Sequence, residues 1–89
     1  MEEVKGWAKT VNDSGKDILR KEFVFKDFKE AFSFMSSVAI KAEEICHHPE
    51  WLNVYNKVVV ELTTHDTGGL SEKDYEMAKF MNLEANATG

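Results

Sequence analysis

The chain has 89 residues, 43% of them hydrophobic, which predicts one compact domain over residues 1–89 with a modest core that self-association would enlarge. Its formal net charge of -5 argues against a direct nucleic-acid partner, because binding to phosphate backbones rests on basic surface. The single cysteine, Cys46, closes no intrachain disulfide, and no segment approaches the roughly 18 apolar residues that span a bilayer, so a soluble cytoplasmic or nuclear protein is expected.

Asn12-Asp13-Ser14-Gly15 is a turn sequence between a short segment around Trp7 and the run Lys21 to Phe25, where Phe23 and Phe25 share one face. A first hairpin is predicted there. Asp27 followed by Glu30 fits a variant of the capping box, and Phe28, Phe32, Met35, Ala39 and Ala42 then recur at helical spacing, predicting a helix from about Asp27 to Cys46. Phe34, Val38 and Ile45 widen its apolar arc beyond what one contact with a sheet requires, which fits either a deeper core within one chain or, in preference, a subunit contact.

Pro49 biases His48 towards extended backbone and ends the helix near His47. Trp51 to Tyr55 and Val58 to Thr63 then read as two strands joined through Asn56-Lys57, with Asn56 accepting positive φ and with Val58, Val60 and Leu62 facing the helices. Ser71 and Asp74 form a second capping box, with Leu70 and Tyr75 at hydrophobic-staple positions. A short closing helix should turn Tyr75, Ala78 and Met81 inward, and Glu84 to Gly89 reads as a loose tail. The expected fold is α+β, a four-stranded antiparallel sheet with helices packed on one face.

Every histidine of the chain falls in one short region, at His47, His48 and His65. Histidine exchanges a proton near neutral pH, so the grouping raises acid/base work or metal binding. A three-imidazole zinc site is conceivable, but neither an HExxH pair nor a cysteine knuckle is present, and no metal is predicted. His47 falls at the last turn of the long helix, where free carbonyls and the negative dipole end favour a proton donor. Glu43, four residues earlier, is placed either to orient that ring or to make an ordinary solvated helix pair. His65 follows a predicted strand, in the kind of strand-end loop that often carries function. Trp7, Trp51 and Tyr55 are either core or flat walls for a heteroaromatic ligand. Asp74 has a capping task that competes with any site role.

Taken together, Glu43-x-x-x-His47-His48-Pro49-Glu50-Trp51-x-x-x-Tyr55-x-x-Val58 and Thr64-His65-x-x-x-Gly69-Leu70-Ser71-x-x-Asp74 resemble the pterin-4a-carbinolamine dehydratase family. The likeness extends upstream through Gly6-Trp7 and Phe25-Lys26-Asp27-Phe28, from about Val4 to Asn82. It departs at the front, where animal members carry an additional helix before the Gly-Trp pair. The resemblance implies removal of water from 4a-hydroxytetrahydropterin to give quinonoid dihydropterin, with no metal or organic cofactor. It implies His47, His48 and His65 as active-site histidines, Glu43 and Asp74 in support, and Thr64 and Trp7 lining the pocket. On chemical grounds His47 is the preferred acid and His65 the preferred base, roles that the stereochemistry of the substrate could exchange, and His48 is a binding and polarising residue. The family also implies a homodimer or homotetramer and a second, binding function, in which some animal members serve a homeodomain transcription factor through the long-helix surface.

Overall fold

Alternating apolar residues make the strands and capping carboxylates start the helices in the computed structural model of this chain, which describes residues 5–64 and 69–88, the last two as backbone only. In chain order these are β1 (Ala8–Val11), β2 (Asp17–Val24), α1 (Phe28–Ile45), β3 (Glu50–Val54), β4 (Lys57–Leu62) and α2 (Glu72–Thr88). The strands form one antiparallel sheet in the order β1-β2-β4-β3, and both helices pack on one face, the α+β architecture expected. Among the described residues no helix is long and apolar enough to cross a membrane.

Asn12 closes the first hairpin with its own side chain, whose Oδ1 accepts from the Ser14 and Lys16 backbone N–H groups, each at 3.0 Å. Gly15 takes φ 80, a conformation that glycine adopts without penalty. β2 begins at Asp17, earlier than the run from Lys21 suggested, because Ile18 and Leu19 are both buried. Its pairing sets Leu19 opposite Leu62 and Phe23 opposite Val58, so these side chains form a layer beneath the helices. The second turn lies one residue earlier than expected: Val54 pairs with Lys57, and Tyr55, at φ 52, takes the positive φ. Asn56 is occupied instead with β2, its backbone carbonyl accepting from Phe25 N–H at 2.8 Å and its side-chain amide donating to Phe25 O at 2.9 Å.

Asp27 caps α1, accepting from Glu30 N–H at 2.9 Å. The buried stripe of α1 is Ala31, Phe34, Val38 and Ala42, with Met35 and Ile45 partly buried against it. The expected stripe holds at Ala42 and in part at Met35, and fails at its other positions. Phe34 and Val38, read as subunit surface, are core, and Phe28, Phe32 and Ala39, read as the inward stripe, are exposed. The physical reason is that β2 offers Phe23 and Phe25 as a concave aromatic seat, with ring centroids 4.9 and 5.0 Å from that of Phe34. Phe28 and Phe32 are left to pack on each other at 5.7 Å.

The closing helix is longer than predicted. α2 continues through Glu84 to Thr88 because its inward stripe of Tyr75, Met77, Ala78 and Met81 goes on to Ala85, which packs against the core.

Candidate active site

Helix α1 ends in a Schellman turn. Cys46 adopts the left-handed region at φ 54, its N–H reaching Glu43 O at 3.4 Å, while His47 N–H bonds Ala42 O at 3.0 Å. The reversal takes His47 off the helical path and turns its ring inward to the first turn of α2, where Asp74 is wholly buried. His47 Nε2 lies 2.6 Å from Asp74 Oδ1. The other carboxylate oxygen accepts twice, from Thr64 Oγ1 at 2.6 Å and from the Ser71 backbone N–H at 2.9 Å. A carboxylate only accepts, so Nε2 carries the hydrogen and Nδ1 is the ring nitrogen left for chemistry. Asp74 thus caps α2 through one oxygen and holds the His47 ring with the other.

Glu43 does not orient His47. Its Oε2 meets His48 Nε2 at 2.6 Å on the exposed surface, because the turn at Cys46 removes His47 from the helix face and brings His48 over the last turn. His65 lies outside the described residues. Thr64, its neighbour in sequence, is tied to Gly69 by two backbone hydrogen bonds of 2.7 and 3.3 Å, in addition to its hydroxyl bond with Asp74.

Trp7 stands apart from this group. Its ring is buried edge-on against Phe23 at 5.8 Å, and its indole N–H donates to Asn82 Oδ1 at 3.0 Å. Asn82 is eight residues beyond Asp74 on α2, about 12 Å along the helix axis, so Trp7 is anchored in the core apart from the Asp74 network. Asn82 Oδ1 also accepts from Lys21 Nζ at 2.9 Å. Gly6 stands beside it at φ +82, a backbone conformation that side-chain-bearing residues rarely adopt. Burial, and secondarily the charge of Lys5, lowers the pKa of Lys21. Trp51 is partly buried against the core, and Tyr55 occupies the exposed turn at the far end of β3, about 17 Å of strand from Glu50. Neither joins the Asp74 network.

Ser71 is the residue of this network that sequence reasoning left out of the site. Its hydroxyl lies 2.7 Å from Thr64 Oγ1, and it lines a groove of about 800 Å³ along α2 with Lys41, Tyr75 and Phe80. The Ser71-x-x-Asp74 spacing was visible as a helix cap, but the contact with Thr64 depends on the tertiary fold. Among the described residues no group of three or more His, Cys, Asp or Glu side chains is arranged to hold a metal ion.

An antiparallel sheet covered by two helices, with a buried carboxylate holding an imidazole between the end of α1 and the start of α2, defines a small α+β protein with a buried imidazole–carboxylate pair. A family model described as Pterin 4 alpha carbinolamine dehydratase matches residues 1–83, and the chain belongs to that family. It is 54% identical over 81 residues to the pterin-4-alpha-carbinolamine dehydratase of Drosophila melanogaster, covering 91% of this chain and 41% of that protein. The chain therefore spans less than half the length of that relative. A Burkholderia orbicola (strain MC0-3) protein assigned the same name is 48% identical, over 92% of this chain and 78% of its own. Among solved structures, a transcriptional coactivator/pterin dehydratase from Brucella melitensis superposes with a TM-score of 0.85 at 45% identity, covering 92% of this chain and 84% of that one. A pterin dehydratase-like RuBisCO assembly factor of the alpha-carboxysome shares the fold, with a TM-score of 0.75 at 20% identity over 90% of this chain and 89% of that one.

Proposed function

We propose that this chain is a cytoplasmic dehydratase that removes water from 4a-hydroxytetrahydropterin to give quinonoid dihydropterin, by histidine acid/base catalysis. The elimination breaks the bond from C4a to the hydroxyl oxygen and takes a proton from a ring nitrogen, with no net change of oxidation state. Proton donors and acceptors therefore suffice. His47 delivers the proton to the departing hydroxyl from Nδ1, His65 takes the ring proton, and His48 binds and polarises the pterin. The observation that carries the reading is the buried Asp74 carboxylate at 2.6 Å from His47 Nε2, which fixes the ring and leaves Nδ1 as the nitrogen that exchanges the proton.

Stopped-flow dehydration of synthetic 4a-hydroxytetrahydropterin tests it. Wild type accelerates the reaction, and His47→Ala or His65→Ala each slows it about 10²- to 10⁴-fold while the fold is retained. An unchanged rate in both variants rejects the mechanism.

A second reading is a binding function, supported by the coactivator description of the Brucella melitensis structure. Its surface on this chain is not the one anticipated, since Phe34 and Val38 are buried; Phe28, Phe32 and Ile40 are the exposed apolar side chains of α1. The same surface suits a homodimer or homotetramer. Mass measurement of wild type and Phe32→Glu, with and without a candidate transcription factor, separates the two: a smaller assembly in the variant alone marks self-association, and loss of a mixed complex marks the partner.

A further inference from the structure

Thr64 has one hydroxyl hydrogen and two close oxygen neighbours, Asp74 Oδ2 at 2.6 Å and Ser71 Oγ at 2.7 Å. Asp74 as a carboxylate has no hydrogen to offer, so Thr64 donates to it. Ser71 must then donate to Thr64. The direction of every bond is thereby set: Ser71 Oγ–H to Thr64, Thr64 Oγ1–H to Asp74 Oδ2, and His47 Nε2–H to Asp74 Oδ1. The two oxygens of one carboxylate cannot move independently. Whatever holds Oδ2 also aims Oδ1 at the imidazole.

We propose that Ser71 is a positioning residue for the dehydration, acting through Thr64 and Asp74 to hold His47 Nε2–H on the carboxylate, so that Nδ1 is the nitrogen that gains and then gives the catalytic proton. The inference rests on the function proposed above and extends it to a residue no catalytic assignment had reached. Three segments meet in this chain of bonds: the end of α1 through His47, the end of β4 through Thr64, and the start of α2 through Ser71 and Asp74. Ser71 also lines the groove along α2. Its hydroxyl is not spent on capping the helix, because the bond within the cap is made by its backbone N–H, which alanine retains.

The test pairs kinetics with nitrogen-15 NMR of labelled histidine, recorded where the His47 ring is neutral. Ser71→Ala should lower kcat about 3- to 10-fold, the scale of one neutral hydrogen bond, with KM unchanged. It should also raise the share of the Nδ1–H tautomer of His47. Ser71→Thr, which keeps the hydroxyl, should restore both. Thr64→Val removes the middle of the chain and should shift the tautomer further than Ser71→Ala. A His47 tautomer in Ser71→Ala and Thr64→Val identical to wild type overturns the proposal, whatever the rates. A wild-type protein without dehydratase activity, combined with the tautomer change, would reject the function and leave the positioning role of Ser71 standing.

Discussion

Two imidazole–carboxylate pairs begin one residue apart in the chain and share the same 2.6 Å separation, yet the molecule treats them in opposite ways. In the His47–Asp74 pair the side chains are 10% and 0% exposed, and Asp74 accepts three hydrogen bonds. In the His48–Glu43 pair they are 62% and 78% exposed. Water and salt compete with the second pair and are excluded from the first. Distance alone would rank them equal, and burial separates a fixed part from a surface contact. His47 is therefore held at a set place within the fold, and His48 stays on the surface in a pair open to solvent.

The comparison breaks most sharply at Asp74. Asp74→Ala leaves His47, Thr64 and the Ser71 N–H facing a void, and should cost about 3–5 kcal/mol in urea denaturation. Asp74→Asn keeps the shape but sets an amide N–H₂ against one of the donors. It should cost about 1–3 kcal/mol, and it should lower kcat about 10²- to 10⁴-fold in the stopped-flow assay as the imidazole loses its hold. Comparable losses from Glu43→Ala would abolish the distinction between the two pairs.

The same contrast of burial at equal chemistry recurs on α1, where Phe32 is 50% exposed and Phe34 is 0% exposed. Phe34→Ala opens a cavity between Phe23 and Phe25 and should cost about 3–5 kcal/mol. Phe32→Ala should stay within about 0.5 kcal/mol for an isolated chain. A larger loss at Phe32 that depends on protein concentration would show that the exposed pair with Phe28 is covered by another copy.

These two contrasts also mark where the sequence could be read and where it could not. Asp27 and Asp74 announced the helix starts because a cap is a local bargain between a side chain and nearby N–H groups. Val58, Val60 and Leu62 announced the inner face of β4 by their period of two, although Val59 between them is apolar as well. The side of α1 that meets the sheet was not legible, since Phe28, Phe32, Phe34 and Val38 are all apolar and periodicity cannot choose between overlapping stripes. The partner of His47 was hidden for a different reason. Spacing of four pairs Glu43 with His47 only if the helix continues, and the left-handed turn falls on Cys46, without the glycine that usually signals one. The histidines themselves were conspicuous, but the bonds joining Thr64, Ser71 and Asp74 across two segments exist only in the folded chain.

Glu43→Ala probes the weaker pair directly. Its effect on stability should be about 0.2–1 kcal/mol, falling towards zero as salt is raised, because both partners remain solvated. In a double-mutant cycle the coupling of Glu43 with His48 should fall below that of Asp74 with His47. Equal coupling energies would mean that the surface pair is buried in an assembly.

The smallest effect belongs to a charged group whose described hydrogen-bond partners are neutral. Lys21 Nζ bonds Asn82 Oδ1 and lies 4.7 Å from the Phe23 ring centroid, and burial, with a lesser contribution from Lys5, holds its pKa below the ordinary 10.5. Below the folded pKa both the folded and the unfolded chain are protonated, and the penalty on the charged form applies in full. As pH rises from the folded pKa towards 10.5, the unfolded chain holds more proton than the folded one, so the contribution of Lys21 to stability increases with pH. Lys21→Met should remove that rise while changing stability by less than about 1 kcal/mol, the scale of a half-exposed charge. Denaturation curves of the two proteins should therefore converge or cross as pH climbs into the alkaline range, whereas parallel curves would show that the lysine head group is as well hydrated in the folded chain as in the unfolded one.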